Sequence, residues 1–499
     1  METTAVKNGN LRWFVLLTVI IGTFLGRLDQ TIVNLALPKI IDDFSITVSA
    51  AGWIATAYIL ANAVFVPVWG KLGDTIGRKK VYITGFLIFI FGSVLAGFAW
   101  DLSSLLAFRI IQAIASSADY PTAMAIIAVT FTDGKERAQA LGIWSSAFAA
   151  SAVFGPLLGG ALIDNFGWRS IFLINLPIGM IGIIMALTFI KESVSEKKTT
   201  KFDIWGAIIL GAALSCLVLV LDKGLDWGWL SFNSILAYLG IIIFTTIFIL
   251  IEQKHPEPIV DLKFFKNSVF VNTLLNNLVV FMGLIGSIFL IPLFAQTFLG
   301  YNATQTGYLF MPLAVAIVAA APLGGKLIGK IQPRYVIILS TLVTAIGLFL
   351  FSYFLDARST AIDIIFPLMI MAFGLGFGMA QRTSIITATV PQNEIGSASS
   401  VLALVRNIAG ALGIAIFATI LQNVTKSNVI NIAKQSFINS VSQADYQKFI
   451  GLITLRAQIS AYQTVFIISS IIVFAGALTA FLIRIRKEEI IQGAELFID

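Results

Sequence analysis

Long apolar runs recur along almost the whole chain, and they limit the possible folds more than any other feature. A helix that crosses a membrane needs about 20 mostly apolar residues. Fourteen such runs can be read in the 499-residue sequence, so the pattern predicts an all-α membrane protein with 14 spans. The runs lie at 13–37, 51–69, 81–100, 104–130, 138–162, 170–190, 203–222, 234–252, 268–298, 306–329, 335–354, 362–388, 397–422 and 461–483.

Composition excludes most other classes of protein. Hydrophobic residues make up 58% of the chain and charged residues only 12%, with a mean hydropathy of +0.92. A soluble domain carries about 25% charged residues, so this chain could not cover a soluble surface. The single Cys and the single His exclude a disulfide framework and a Cys/His metal cluster. We therefore expect neither a metal nor a cofactor.

The basic residues predict how the chain is oriented in the membrane. Lys and Arg concentrate in the cytoplasmic segments of membrane proteins. When the N-terminus is placed in the cytoplasm, most loop Lys and Arg fall on that side, for example Arg78, Lys79 and Lys80 after the second run. Both termini are then cytoplasmic. The net charge of +7 is a topology signal, and we infer no nucleic-acid partner from it.

An internal repeat divides the chain into halves. The string GKLGDTIGRKK at 70–80 and the string GKLIGKIQPRY at 325–335 each follow the second run of a block of six. Repeats of this kind are typical of secondary transporters, whose substrate site lies between the halves. The predicted regions are a cytoplasmic N-terminus at 1–12, a six-helix bundle at 13–190, cytoplasmic linkers at 191–266 containing two extra helices (203–222 and 234–252), a second six-helix bundle at 267–483 with a long outer loop at 423–460, and a cytoplasmic tail at 484–499.

Six sequence motifs, in a fixed order along the chain, together resemble those of a known protein family. They read LDQTIVNLALP at 28–38, GKLGDTIGRKK at 70–80, RIIQAIASSADYP at 109–121, SAVFGPLLGG at 151–160, WRSIFLINLPIG at 168–179 and ASSVLALVRNIAGALGIAI at 398–416. Together they resemble the major facilitator superfamily, and within it the 14-helix drug:proton antiporter family. The resemblance implies a proton-coupled exporter of the multidrug-efflux type, working by alternating access in the cell membrane and conferring antibiotic resistance.

The loop between the second and third spans is the first candidate site. Its glycines, Gly70, Gly73 and Gly77, allow helices to approach closely. Asp74 can cap a helix and pair across to the neighbouring bundle, and Arg78 can fix the turn. In the resembled family this loop holds the cytoplasmic side closed in the outward-facing state. The resemblance therefore assigns these five residues to a conformational gate.

The fifth span carries a face of small residues. Gly155, Gly159 and Gly160 let helix backbones pack closely, and Pro156 bends the helix locally. Tight helix packing alone would explain the pattern. The resemblance identifies it as the antiporter motif, at the interface between the bundles.

Ionisable residues within membrane spans are costly and are usually functional. Asp29 and Arg27 lie on the first span, and Arg109 and Asp119 lie on the fourth. We expect the pairs Asp29–Arg109 and Arg27–Asp119 to form one coupled network. A carboxylate beside a movable arginine gains or loses a proton as the pair opens or closes, which would couple transport to protons. Asp29 is the preferred proton carrier and Asp119 the second.

The fourth span departs from the family pattern. Ala113 and Ala115 stand where the family has glycines, Asp119 is atypical before Pro121, and Arg27 occupies a position that is usually apolar or small. The resemblance therefore does not specify the proton path or the substrate.

Other polar residues within the spans are candidates for the substrate cavity, although bonds between helices would explain them equally well. The predicted lining residues are Asn34, Tyr58, Asn62, Gln112, Asn276, Arg382 and Arg406. With Arg382 and Arg406 included, the spans hold more positive than negative charge. Such a cavity suits anionic, zwitterionic or neutral amphiphiles better than dications.

The sequence thus predicts a proton-coupled exporter of hydrophobic or amphiphilic compounds, acting as a monomer. One alternative keeps the fold and exports an endogenous lipid, fatty acid or other anionic or zwitterionic metabolite. A membrane-embedded enzyme would need clustered nucleophiles, bases or metal ligands, and a channel would need a repeated filter pattern. Neither is visible, and the absence of a GxxxxGK[ST] run favours an ion gradient over nucleotide hydrolysis.

Overall fold

The structure is a computed structural model that describes residues 9–131, 134–193, 203–256, 258–327, 330–390, 395–435 and 443–483. Within helices, a few of these residues are described by their backbone only. The described part of the chain is helical throughout, with no strand. The predicted N-terminus at 1–8 and the tail at 484–499 lie outside the described residues.

Six helical columns form the N-terminal bundle. Two of the columns are broken, the fourth at Ser117–Ala118 and the sixth at Ile174. α1 packs along α6 and α8, while α3 packs against α4 and α8. The helices are α1 (Gly9–Phe44), α2 (Val48–Ile76), α3 (Arg78–Gly97), α4 (Leu102–Ser116), α5 (Asp119–Thr130), α6 (Gly134–Phe166), α7 (Ser170–Leu173) and α8 (Asn175–Phe189).

Two helices follow that belong to neither bundle, α9 (Ile204–Trp227) and α10 (Phe232–Lys254). They pair with each other, and α9 also packs against α2 of the N-terminal bundle. Only 17% of the most apolar window of α10 is buried within the protein, so nearly all of this helix faces outward. An apolar helix with such exposure is what a lipid-facing span requires.

The C-terminal bundle repeats the arrangement of six columns. Here α11 packs against α16 and α17, and α14 packs against α15 and α17. The elements are the short 3-10 helix η1 (Leu262–Lys266), then α11 (Ser268–Phe298), α12 (Ala303–Leu309), α13 (Met311–Gly325), α14 (Pro333–Phe354), α15 (Ala361–Ala388), α16 (Ile395–Gln435) and α17 (Gln443–Phe481).

The predicted spans correspond to the observed columns. Eleven helical stretches in the described part of the chain are long and apolar enough to cross a membrane. The columns formed by α4 with α5, by α6 and by α9 bring the total to 14. Several helices extend beyond the predicted runs, because polar residues at the ends of a span continue the helix outside the apolar zone.

The described parts of the predicted outer loop at 423–460 are helical. α16 continues to Gln435 and α17 already begins at Gln443. The two polar extensions contact each other, since Asn428 donates a hydrogen bond to the carbonyl oxygen of Ala457. Polarity along the segment signals exit from the apolar zone, and it does not end the helix.

The two bundles meet at the face that the sequence predicts to be extracellular, called the outer face below. α6 of the N-terminal bundle packs against α12 of the C-terminal bundle, and α1 packs against α11. α2 packs against α16 as well. The contacts between α6 and α12 and between α1 and α11 are called the outer seam below.

Candidate functional site

A buried ion pair lies in the middle of the N-terminal bundle. Nη1 of Arg109 on α4 donates to Oδ2 of Asp29 on α1 at 2.5 Å. Both side chains are buried, with exposed fractions of 1% and 0%. The predicted pairing of these residues is confirmed. An ion pair away from water persists only where its remaining polar atoms also find partners.

Two amides complete the surroundings of the Asp29 carboxylate. Gln112 donates to Oδ1 at 2.8 Å, and Asn175 donates to the same oxygen at 3.1 Å. Both amides also reach the hydroxyl of Ser93, at 2.5 and 3.0 Å. The network therefore joins four columns of the bundle, through α1, α3, α4 and α8. We name Asp29, Ser93, Arg109, Gln112 and Asn175 the N-bundle network.

The other face of Arg109 is covered by an aromatic ring. Its guanidinium carbon lies 3.9 Å from the ring centroid of Tyr58, which is a cation–π geometry. The hydroxyl of Tyr58 donates to Ser116 at 2.7 Å, and Asn62 donates to the same oxygen at 3.0 Å. The sequence places Tyr58 and Asn62 in the substrate cavity; the structure places both against α4 next to the ion pair.

Asp119 and Arg27 form a second charged group. The two attract each other electrostatically, and Nη1 of Arg27 donates to Gln30 at 2.9 Å. Oδ1 of Asp119 is buried and has no hydrogen-bond partner in the described part of the chain. Thr23 interacts with the same carboxylate and accepts a 2.8 Å hydrogen bond from the indole nitrogen of Trp144 on α6. The coupling of Asp119 to transport stays a prediction.

Arg382 lies on α15, the fourth column of the C-terminal bundle, as Arg109 lies on the fourth column of the N-terminal bundle. It is 1% exposed, and its Nε donates to Oδ1 of Asn276 at 2.8 Å. Its Nη2 donates to Ser340 at 2.9 Å and to Thr341 at 3.1 Å. Asn276 in turn donates to the carbonyl oxygen of Gly476 at 2.9 Å. We name Asn276, Ser340, Thr341 and Arg382 the C-bundle network.

The two networks use equivalent spans with different chemistry. The N-bundle network joins the first, third, fourth and sixth columns of its bundle. The C-bundle network joins the first, third and fourth, and Asn276 reaches the sixth by its hydrogen bond to Gly476. The carboxylate of Asp29 has its counterpart in the amide of Asn276, so Arg382 has a neutral acceptor where Arg109 has an anion. The structure places Arg382 and Asn276 in the bundle interior, among neighbouring helices, and not on an open cavity wall.

Arg406 on α16 faces the other bundle. Its Nε reaches Oδ1 of Asn277 at 3.5 Å, and its guanidinium lies 4.9 Å from the ring centroid of Phe281. It is within electrostatic range of Arg27 and Tyr120 across the gap between the bundles. Its Nη2 has no hydrogen-bond partner in the described part of the chain. Of the two predicted cavity arginines, Arg406 is the one that faces across the gap between the bundles.

Asn34 is the remaining predicted cavity residue. It is half-buried on α1, and its Oδ1 has no hydrogen-bond partner among the described residues. A half-buried amide with a free acceptor oxygen can bond a polar group on a ligand.

The predicted cytoplasmic gate is described in part. The side chain of Asp74 and the surroundings of Gly70 lie outside the described residues. Gly77 has φ +112° between α2 and α3, where a side chain would collide with Glu192. That carboxylate accepts from the backbone nitrogens of Lys79 and Lys80, at 3.0 and 3.1 Å. Glu192 therefore caps α3 and fixes the turn, a role that the sequence analysis missed.

The other two gate residues pack within the same bundle. Gly73 lies against Thr122, and Nη1 of Arg78 donates weakly to the carbonyl oxygen of Ala125 at 3.5 Å. The backbone nitrogen of Arg78 donates to the carbonyl oxygen of Ser193 at 3.1 Å. The gating role of the loop stays a prediction.

The glycines of the antiporter motif divide between two partners. Gly155 and Gly159 face α1, where an added Cβ would collide with Thr31 and Ile32 respectively. Gly160 faces α12, where an added Cβ would collide with the backbone of Thr304.

Pro156 shares the α12 side of the motif, since its carbonyl oxygen lies against Gly307. Pro156 and Gly160 therefore lie at the interface between the bundles, whereas Gly155 and Gly159 pack within the N-terminal bundle. One face of α6 thus touches α1, and the other touches the opposite bundle.

One turn beyond this motif, Asp164 closes the outer seam. Its carboxylate accepts from the backbone nitrogens of Ala303 and Thr304 at 3.1 and 2.9 Å. It also accepts from the Thr304 hydroxyl at 2.7 Å. Nearby, Gln296 on α11 donates to the carbonyl oxygen of Leu35 on α1 at 3.0 Å. A carboxylate at a helix N-terminus is favoured by the free N–H groups there, so this is a well-formed contact between bundles.

Comparisons with known proteins agree with this architecture. A family model described as Major Facilitator Superfamily matches residues 19–414. The multidrug transporter protein MdtP of Bacillus subtilis is 32% identical over 440 residues, covering 86% of this chain and 79% of the relative. The riboflavin transporter RibZ of Clostridioides difficile is 30% identical over 451 residues, covering 89% and 96%.

Solved structures share the fold at low identity. A bacterial homologue of the human lysosomal transporter Spinster, in an inward-facing and occupied conformation, superposes with a TM-score of 0.68. It is 18% identical and covers 95% of this chain and 97% of its own. A POT family transporter in complex with 5-aminolevulinic acid gives a TM-score of 0.66 at 13% identity, covering 93% and 94%. The chain therefore belongs to the major facilitator superfamily, and it is a multi-span membrane transporter rather than an enzyme.

Proposed function

We propose that the protein exports hydrophobic or amphiphilic compounds from the cytoplasm in exchange for protons. It works in the cell membrane with both termini cytoplasmic, and it acts as a monomer. Relatives named as a multidrug resistance protein and as a multidrug transporter protein, 31% and 32% identical, support efflux. The observation that carries the proton coupling is the buried ion pair between Asp29 and Arg109.

The ion pair has the chemistry that proton exchange needs. Arg109 stabilises the charged form of Asp29, which two amides also hold. A proton on Asp29 removes the attraction and leaves Arg109 charged in a dry site, so the side chains must rearrange. Loss of the proton restores the pair. Protonation thus selects between two arrangements of α1 and α4.

A continuous series of contacts leads from that pair to the outer seam. Asp29 lies on α1 within one turn of Thr31 and Ile32, which pack on Gly155 and Gly159 of α6. The adjacent face of α6 holds α12 through Gly160 and through Asp164, which lies one turn further on. A shift of α1 therefore changes the fit of α6 against the C-terminal bundle. Alternating access requires a link of this kind, in which packed helices with two arrangements connect the state of the ion pair to the opening of the seam.

The charges facing the gap between the bundles bear on the cargo. Arg406 and Arg27 lie in electrostatic range of each other there. Asp119 balances the charge of Arg27, so Arg406 leaves one net positive charge at the gap, which repels a dication and attracts a carboxylate or phosphate. Neutral, zwitterionic and anionic amphiphiles therefore fit best, and this observation favours the second candidate function, export of an endogenous lipid, fatty acid or other anionic or zwitterionic metabolite.

Transport in proteoliposomes tests the proposal. Purified protein is reconstituted, a pH gradient is imposed, and uptake is measured for compounds spanning anionic, zwitterionic, neutral and cationic classes. We expect uphill transport that collapses with the gradient and that Asp29→Asn abolishes. Asp356→Asn, in an exposed loop where the side chain bonds its own neighbour, is the matched control and should transport normally. Uphill transport by Asp29→Asn would overturn the role of Asp29.

A further inference from the structure

A cavity of about 550 Å³ opens on the outer face between the two bundles. The N-terminal bundle contributes Asp42 and Thr47, and the C-terminal bundle contributes Gln296 and Tyr462. This volume lies in the range that holds drug-sized molecules. The cavity is separate from the N-bundle network, because none of the side chains of that network lines it.

The wall of the cavity is rich in aromatic rings and in hydrogen-bond acceptors. Phe298 and Tyr462 pack edge to face, with ring centroids 5.7 Å apart, and Tyr301 adds a third ring. Gln422 lines the cavity, and its Oε1 has no hydrogen-bond partner in the described part of the chain. Asp42 adds an exposed carboxylate.

The balance of charge at the wall favours a cation. Asp42 and Asp164 are opposed by one exposed lysine, Lys39. Aromatic faces attract cations, and free acceptors select ligands with N–H groups. The matching ligand is a flat aromatic cation that carries amino groups.

The cavity depends on the closed outer seam. Its two walls belong to different bundles. Asp164 on α6 holds them together by accepting from the backbone of α12, and Gln296 on α11 does so by donating to Leu35 of α1. A molecule that contacts both walls binds this arrangement more tightly than one in which the seam is open. By linkage, it then stabilises the closed arrangement by the same difference in affinity.

We propose that this cavity is an inhibitory site, which takes aromatic amino-bearing cations from the outer solution and holds the outer seam closed. The inhibition rests on the proposed alternating-access export, whereas the binding does not. The ligand differs in charge from the cargo favoured above, so it acts as an inhibitor and is not carried.

Propidium is a suitable probe, being an impermeant aromatic dication with two amino groups. Its binding to the purified full-length protein is followed by fluorescence anisotropy. Asp42→Asn combined with Gln422→Leu should weaken binding about tenfold, through loss of a charge and of a hydrogen-bond acceptor. Asp43→Asn is the matched control, because Asp43 bonds Trp168 and Arg169 and does not line the cavity. Equal binding by all three proteins would overturn the site.

A second variant tests the dependence on the seam without touching the lining. Gly160→Ala places a methyl group against the backbone of Thr304 and so forces the seam apart. It should lose propidium binding, whereas Gly451→Ala, which meets nothing within 4 Å, should keep it. Unchanged binding by Gly160→Ala would overturn the link between the cavity and the closed seam.

A transport assay with propidium tests the inhibitory site and the proposed export separately. Propidium added to the outer side of proteoliposomes should slow export of an anionic or neutral cargo without competing with it from the inner side. Export that propidium does not affect would overturn the inhibitory site and leave the exporter proposal intact. Propidium binding in a protein that exports nothing would overturn the exporter proposal and leave the cavity as a binding site.

Discussion

Arg109 donates a 2.5 Å hydrogen bond to Asp29, and both side chains are cut off from water. The same bundle contains a second ion pair, between Asp43 and Arg169, in which the side chains are 45% and 41% exposed. The two pairs have similar partners and opposite environments. Comparing them therefore shows how much burial changes the contribution of an ion pair to the stability of the protein.

The first prediction uses this contrast. Arg109→Ala leaves the Asp29 carboxylate without its counter-ion in a dry site, and should destabilise the protein by about 3 to 5 kcal/mol. Arg169→Ala should cost less than about 1 kcal/mol, since solvent screens the exposed pair. Thermal unfolding in detergent measures both. Similar losses for the two variants would contradict the assignment of Asp29 and Arg109 to a buried charged network.

A double variant separates stability from transport. Asp29→Asn with Arg109→Gln removes both charges together and should recover most of the stability that Arg109→Ala loses. It should still fail to transport against a gradient, because no titrating carboxylate remains at the site. Uphill transport by this double variant would place the proton carrier elsewhere, with Asp119 as the next candidate.

Much of this site follows from the sequence. Charged residues are rare in apolar helices, so Asp29 and Arg109 stand out, and their spans are neighbours in the resembled fold. Ser93 and Asn175 do not stand out, because small polar residues in apolar helices more often bond their own backbone or a neighbouring helix. Their roles emerge only when four helices are brought together.

The rotation of a helix about its axis is the main quantity that sequence does not supply. Arg382 and Arg406 look alike as single arginines in apolar runs, yet Arg382 turns into its own bundle and Arg406 towards the other. Contacts between segments that are distant in sequence also cannot be predicted, because they depend on how the folded helices are placed. Asp164 and Thr304 meet across 140 positions, at a seam that exists only once both bundles have folded.

A second prediction concerns the neutral partner of Arg382. Asn276→Asp would place a carboxylate oxygen where the amide oxygen now accepts from Nε at 2.8 Å. The new ion pair should outweigh the two lost hydrogen bonds, to Gly476 and Thr341, each of which is worth about 1 kcal/mol. We expect a rise of several degrees in the unfolding temperature. Asn272→Asp, one turn away at a partly exposed position, is the control. If the unfolding temperature of Asn276→Asp falls below that of the control, then the neutral hydrogen-bond partners of Arg382 already stabilise its charge sufficiently.

A third prediction concerns the outer seam. Asp164→Ala removes three hydrogen bonds that hold α12, and should shift the protein towards an outward-open state by up to about tenfold. A cysteine introduced at Leu35, in a background with Cys216→Ser, reports the opening through its labelling by an impermeant maleimide. Asp43→Ala is the control, because its hydrogen bonds to Trp168 and Arg169 remain within one bundle. Equal labelling rates in the two variants would mean that Asp164 does not hold the seam.

The last prediction tests the packing that joins the ion pair to the seam. Gly159→Ala adds a methyl group that collides with Ile32 on α1, at a position deep in the bundle. Overpacking of this kind costs about 1 to 3 kcal/mol, and it should slow transport as well, because α1 can no longer slide against α6. Ile32→Ala creates space at the same point, so the double variant should be more stable than the sum of the single losses predicts. Unfolding temperatures and transport rates for the four proteins of this cycle give the coupling. If stability is coupled and transport is not, then α1 and α6 pack together without passing on the state of Asp29, and the seam must respond to protonation through α4 instead.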